Sequence, residues 1–231
     1  MKTIGLIGVM SWESSLIYYQ LINQKVKEKL GGHHSAKSLL YSVDFHEIKN
    51  LQHEGKWEQA TELMIDAAKR LERGGADFVV ICTNTMHKMD SQVEAAITIP
   101  LLHIADATAG EIRRQNIKKV GLLATAFTME QDFYKGRLAE RFDLDVLVPG
   151  EVDRKLVHDI IYQELCLGVI KRESKDAYVE IIKKLVWDGA RAIILGCTEI
   201  TLLISQEDCE VPVFDTTKIH AESAVEWALQ A

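Results

Sequence analysis

GGADFVVICTNT, starting at Gly74, and DGARAIILGCTE, starting at Asp188, are one pattern written twice, 114 residues apart. Each has a small-residue turn, then a β-branched apolar run, then an abrupt change to side chains bearing hydroxyl, amide or thiol groups. TIGLIG from Thr3 pairs in the same way with KVGLLA from Lys119, and IPLLH from Ile99 with VPVFD from Val211, at separations of 116 and 112 residues. Three blocks in the same order, with a separation that drifts by only a few residues, describe a unit that occurs twice. Gly-Ala followed by β-branched residues recurs in many α/β folds, so the apolar runs alone would not establish this. The matched strand exits do.

Within each unit, short apolar runs alternate with longer stretches of helical period, as expected of a parallel sheet covered by helices. Eight strands are predicted, at 3–8, 38–44, 77–82, 101–104, 119–124, 145–148, 192–196 and 212–214. Ser11 stands where it would cap a helix running from Trp12 to the Gly31-Gly32 stop, and Thr128 is placed to cap MEQDFYKGRLAERF. No stretch rich in Gly, Pro or Ser divides the chain. The predicted fold is α/β, with two pseudo-symmetric Rossmann-like units, each holding four parallel strands.

A length of 231 residues suits one α/β domain or two small ones. With 47% hydrophobic and 26% charged residues, the chain reads as a soluble globular protein. The first apolar run, 4–9, is broken by Gly5 and Gly8, is too short to span a membrane and has no cationic lead, so a cytoplasmic protein is expected. The net charge is −7 and the basic residues are interspersed with acidic ones, which argues against a nucleic-acid partner. Cys82, Cys166, Cys197 and Cys209 are far apart in sequence and form no C-x-x-C pair, so neither a zinc site nor a disulfide framework is expected. His33-His34 follows the Gly-Gly stop with no third ligand nearby and reads as a solvated loop.

Ligands of open α/β sheets gather beyond the carboxyl ends of the strands, where CTNTMH (82–87) and GCTEI (196–200) both lie. At the 114-residue separation, Thr83 corresponds to Cys197, Asn84 to Thr198, and Thr85 to Glu199. Cys82 corresponds to Gly196 and, by strand alternation, points away from the direction Thr83 takes. If the units face each other, Thr83 and Cys197 approach one ligand from opposite sides, with Asn84, Thr85 and Thr198 around it. Ser11, Thr125 and Thr128 supply further hydroxyls at the exits of the first and fifth strands. Such a set suits a small carboxylate held by hydroxyls and helix N-termini.

These residues resemble the aspartate/glutamate racemases that work without pyridoxal phosphate, and the resemblance covers essentially the whole chain. The family has one strand ending in Cys-Asn-Thr and another ending in Gly-Cys-Thr followed by an acidic residue or histidine. TNTMH matches the first with threonine in place of cysteine, and GCTEI matches the second. GLIGVMSWES, YSVDFHEI, LHIADAT, FTMEQDFY, QELCLG and VFDTTKIHAE add a likeness to enterobacterial members that favour L-aspartate and L-glutamate or act more broadly. The resemblance implies an isomerase without cofactor or metal, acting on a small amino acid and commonly dimeric. It also implies two domains, residues 1–98 with 212–231 and residues 99–211, with the active site at their interface. In its two-base mechanism one side chain removes the α-proton and another returns one on the opposite face. Cys197 opens the helix-like segment TEITLLI, a setting expected to lower its pKa below the ordinary value of about 8.5.

Thr83 departs from this scheme, because a hydroxyl is a far weaker acid than a thiol and does not ionise near neutral pH. The two faces are therefore unequal, and a bias toward one enantiomer, the L form, is expected. Family members that act on acidic substrates hold the distal carboxylate with cations, whereas Gln52 and His53 stand near that place here. Met10 is expected to line the pocket as an adaptable apolar wall. Glu199 either tunes Cys197 or simply favours a helix N-terminus, while His87 and His103 are expected to pack beside the first unit's exit. Two other functions fit the same residues: another carbanion reaction, on a dicarboxylate or a hydantoin, and an amino-acid-binding protein with little turnover.

Overall fold

A computed structural model describes residues 1–230. The first half runs β1 (Ile4–Gly8), α1 (Trp12–Leu30), β2 (Ser38–Ser42), α2 (Phe45–His53), α3 (Trp57–Arg73), β3 (Phe78–Ile81), α4 (Asp90–Ala96), β4 (Leu101–Leu102) and α5 (Ile104–Arg114). The second runs β5 (Lys119–Leu123), α6 (Ala126–Glu130), α7 (Asp132–Phe142), β6 (Asp145–Leu147), α8 (Glu151–Gln163), α9 (Arg172–Trp187), β7 (Ile193–Leu195), β8 (Val213–Asp215) and α10 (Thr216–Leu229). The strands form two four-stranded sheets of order β2-β1-β3-β4 and β6-β5-β7-β8. Every pairing is parallel. All eight predicted strands are present, and the repeat read from the sequence is a repeat of topology.

The chain divides into residues 1–104 with 220–231 and residues 105–219. The crossings fall inside α5 and α10, a few residues beyond the boundaries expected at 98/99 and 211/212. Pairing is the reason. β4 bonds to β3 and β8 bonds to β7, so each fourth strand stays with its own sheet and only the helix after it changes unit.

In the first unit, strand alternation sorts side chains between two cores. Ile7, Val79 and Ile81 pack with Met64, Ala67 and Leu71 of α3, while Ile4, Leu6, Phe78, Val80 and Cys82 pack with Tyr18, Ile22 and Val26 of α1 and with Ala221, Ala224, Val225 and Ala228 of α10. Cys82 is therefore a core residue, and burial pushes its thiol far above the usual range. The first helix starts as expected, with Ser11 Oγ accepting the Ser14 N–H at 3.2 Å, and ends at Gly31. Thr128, in contrast, does not cap the following helix. Residues 126–130 form a short helix of their own capped at Thr125, and Gln131, extended at φ −92° and ψ 153°, separates it from α7.

Backbone demands repeat along with the topology. Gly75 and Gly189, at φ 93° and 102°, turn the chain after α3 and α9 into β3 and β7, a conformation L side chains rarely adopt. Gly5 and Gly121 occupy matching places in β1 and β5 but stand against different neighbours. A Cβ on Gly5 would lie 2.9 Å from Ala76 Cβ and 3.0 Å from the Phe78 carbonyl oxygen, atoms with no rotamer to escape into. On Gly121 it would meet the terminal methyls of Ile193 and Leu185 at 2.9 and 3.0 Å, which can swing aside. Gly5→Ala is expected to cost about 1–3 kcal/mol in urea unfolding, and Gly121→Ala clearly less. Equal costs at the two sites would contradict this packing argument.

Candidate active site

In each sheet the connections leave the central strands in opposite directions. From β1 the chain passes to β2 on one side, with β3 and β4 on the other, and β5 to β8 repeat this order. Such reversals open a crevice at the carboxyl ends of the two central strands, where open α/β sheets hold their ligands. Ser11 and Thr83 follow β1 and β3 in the first unit; Thr125 and Cys197 follow β5 and β7 in the second.

At the first unit's crevice, Ser14 Oγ donates to the Cys82 carbonyl at 3.0 Å, tying α1 to the β3 exit. Thr83, Asn84 and Thr85 are all buried and lead into a 3₁₀ turn, Thr85–Met89. The Thr83 carbonyl accepts the His87 Nδ1–H at 2.8 Å. Gln52 is buried on α2, with its amide nitrogen 3.1 Å from Met86 Sδ and 3.7 Å from Met10 Sδ. Met10 and Gln52, expected in the pocket wall, therefore meet each other. Thioethers are weak acceptors. His53, its sequence neighbour, is exposed.

At the second unit's crevice, the β7 exit is pinned to β5 by the Gly196 N–H bond to the Leu123 carbonyl, 2.7 Å. A Cβ at 196 would stand 3.0 Å from Ala124 Cβ, which fits the absence of a side chain just before the thiol. Cys197 is half-buried and precedes a 3₁₀ turn, Thr198–Leu202, rather than the longer helix-like segment expected. Its thiol donates to Glu199 Oε2 at 2.9 Å. Burial and then the Glu199 charge, with Cys166 adding to it, hold the Cys197 thiol well above its ordinary pKa. This reverses the expected lowering. A single 3₁₀ turn presents little dipole to offset burial, and the nearest charge is negative. The direction of this shift favours the protonated thiol.

Replacing Glu199 by glutamine removes that charge, and the pH midpoint for alkylation of Cys197 is expected to move down, while burial keeps it above an ordinary thiol. An unchanged or higher midpoint would contradict the assignment.

Thr125 and Thr128 share the β5 exit, with their hydroxyls 3.4 Å apart. Thr198 Oγ1 lies 3.1 Å from Thr217 Oγ1, while Thr216 donates to the Leu195 carbonyl at 2.9 Å. Thr217, on the exit of β8, was missed in the sequence, although the fourth strand's exit is the natural place to look once the third holds the thiol. His158 and Tyr162 were also missed. They are one helical turn apart on α8 with rings 4.8 Å apart, and His158 Nδ1 accepts the Ala126 N–H at 3.1 Å. Burial above all raises the Tyr162 phenol, with the Glu199 charge adding to it, so Tyr162 stays neutral. Among the described residues no group of three or more His, Cys, Asp or Glu is arranged to hold a metal ion, and no helix is long and apolar enough to cross a membrane.

Two like α/β units, one presenting a thiol against a carboxylate and the other a threonine at the equivalent strand exit, define a protein of the racemase type. The chain belongs to the Asp/Glu/hydantoin racemase family, whose sequence model matches residues 7–224. It is similar over its full length to a protein from Yersinia pestis solved as a candidate Asp/Glu racemase, at 57% identity, TM-score 0.94 and complete coverage of both chains. An aspartate racemase homologue from Pyrococcus horikoshii is 37% identical, with TM-score 0.87 and complete coverage of both. A broad-specificity amino-acid racemase from Bacillus subtilis is 23% identical over 175 residues, 73% of this chain and 72% of that one.

Proposed function

We propose that this protein is a cofactor-independent amino-acid racemase that moves the α-proton of aspartate, glutamate or a broader set of amino acids, with Cys197 and Thr83 as its acid/base pair. The observation that carries the reading is the Cys197 thiol bonded to Glu199 at the exit of β7, in the place that Thr83 holds at the exit of β3. In this reading Asn84, Thr85, Thr125, Thr128, Thr198 and Thr217 supply donors for the α-carboxylate, and Met10 and Gln52 meet the side chain. Gln52 in place of a cation favours a range wider than the acidic amino acids.

Cys197 must lose its proton before it can act as a base. The substrate's α-ammonium group brings a positive charge, and a cation within a few ångströms favours the thiolate. Glu199 is in place to take the thiol proton. The carbanion then receives a proton from the Thr83 hydroxyl on the other face, or receives one back from Cys197 with retention of configuration. We place the enzyme in the cytoplasm as a homodimer. The four cysteines, none in a disulfide, suit a reducing compartment, and the dimer is what the family resemblance implies.

The test is α-proton exchange in deuterated water, followed by NMR with separate L and D enantiomers of aspartate, glutamate and neutral amino acids. Exchange that depends on Cys197 supports the racemase. One feature favours a second reading, an amino-acid-binding protein: burial and Glu199 raise the Cys197 thiol above its ordinary pKa, and a threonine hydroxyl does not ionise near neutral pH. Saturable binding without exchange of any enantiomer would establish that reading instead.

A further inference from the structure

We propose that His87 is a positioning residue for Thr83, fixing the backbone from which the hydroxyl meets the substrate; this rests on the racemase reading above.

His87 is fully buried, and both of its ring nitrogens are engaged. Nε2 lies 3.3 Å from the backbone N–H of Ile104, a group that can only donate, so Nε2 carries the lone pair. Nδ1 lies 2.8 Å from the Thr83 carbonyl, a group that can only accept, so Nδ1 carries the proton. The fold thereby selects one neutral tautomer, and that tautomer clamps the β3 exit to the first residue of α5.

The ring has little freedom to leave this position. His103 packs on it with centroids 4.4 Å apart, and His220 stands edge-on at 5.8 Å. Both are themselves held: His103 Nε2 lies 3.4 Å from Asp90, and His220 bonds to the Leu102 carbonyl at 2.9 Å and to the Tyr18 hydroxyl at 2.8 Å. The second unit does the equivalent job differently. There the Cys197 carbonyl accepts the backbone N–H of Ile200 at 3.2 Å, and Thr201, the counterpart of His87, donates to the Thr198 carbonyl at 2.7 Å. The unit that presents the hydroxyl thus fixes the carbonyl of its reacting residue with a buried side chain. A hydroxyl is the weaker acid of the pair, and its proton transfer depends most on being correctly placed.

Two variants separate the ring's two bonds. In His87→Asn the amide nitrogen falls near the place of Nδ1 and keeps the donor to Thr83. In His87→Gln the amide group falls near Nε2, where its oxygen serves Ile104 while the donor to Thr83 is lost. Each is incubated with L-aspartate, L-glutamate and a neutral L-amino acid in deuterated water. Deuteration of the recovered L form, through return from a Cys197 thiol that has exchanged its proton with solvent, reports the Cys197 face, and appearance of the D form reports transfer at the Thr83 face. His87→Gln is expected to lower inversion by about 10²-fold, the scale of a misplacement of about 1 Å, and to leave deuteration with retention within a few-fold. His87→Asn keeps both near the wild-type rates. Thermal melts of both variants establish that they fold, and the long-range proton–nitrogen spectrum of the wild-type ring reads the tautomer without any substitution.

A bare Nδ1 in that spectrum overturns the proposal. So does a His87→Gln loss that is equal for inversion and retention, or an Asn variant no better than Gln. If the wild type exchanges no α-proton, the racemase reading fails and Thr83 loses its role, while a protonated Nδ1 would still show the clamp as a structural bond.

Discussion

Replacing Cys197 with alanine is expected to lower α-proton exchange of the preferred enantiomer by about 10²–10⁴-fold, the range for loss of a positioned acid or base. Binding should survive, because the groups assigned to the carboxylate are hydroxyls, amides and backbone donors on other residues. The pair of measurements matters more than either alone. A variant that neither exchanges nor binds would show only that the site had collapsed. One that binds normally and exchanges at the wild-type rate would remove Cys197 from the chemistry. The pH profile carries the sign of the same argument. Burial and Glu199 raise the thiol pKa, so the thiolate, and exchange with it, should still be increasing with pH through the ordinary thiol range. In Glu199→Gln that rise should begin at lower pH, although its plateau falls if Glu199 takes the thiol proton. A rise displaced upward in the variant would contradict the geometry at Glu199 Oε2.

Much of this was legible in the sequence because the repeat made it redundant. The blocks around Thr3, Gly74 and Ile99 each had a second copy, and a strand reading supported at two places is hard to mistake; all eight strands followed. Thr128 had no such check, and the local run MEQDFYKGRLAERF hid the extended residue Gln131 that breaks it. The unit boundaries were less visible, since a helix beginning in one unit and ending in the other leaves no mark in composition. Cys197 was singled out by its place in the pattern, whereas the upward direction of its pKa was not legible there. Spacing shows that Glu199 is two residues away, but it does not show that a 3₁₀ turn folds the carboxylate back to 2.9 Å from the sulfur. His158 and Tyr162 illustrate the remaining gap, because a His and a Tyr one turn apart become site residues only once α8 is seen to pack beside the β5 exit.

Thr83→Cys is expected to raise inversion by about 10²-fold, by supplying a thiol where a hydroxyl now stands. Thermodynamics limits how the present asymmetry can show itself. Enantiomers have equal free energy, so kcat/KM for L to D must equal kcat/KM for D to L in any racemase, whichever residues face the substrate. Unequal bases therefore appear elsewhere, in kcat and KM taken separately and above all in the ratio of exchange to inversion. With Cys197 as base, a proton passes to sulfur; once the thiol has exchanged it for a solvent deuteron, the same sulfur returns that deuteron with retention, or Thr83 supplies one with inversion. The hydroxyl is the slower donor, so the wild-type enzyme should deuterate the recovered L-substrate faster than it forms the D product. In the reverse direction Thr83 would have to act as a base, which needs an alkoxide, so exchange with retention of the D form should be slowest. Thr83→Cys should bring inversion up toward exchange and make retention exchange comparable for the two enantiomers. If inversion in the variant stays at the wild-type rate while the added thiol is shown by alkylation to be accessible, position 83 does not donate to the α-carbon. The asymmetry would then have to arise from how the substrate is held.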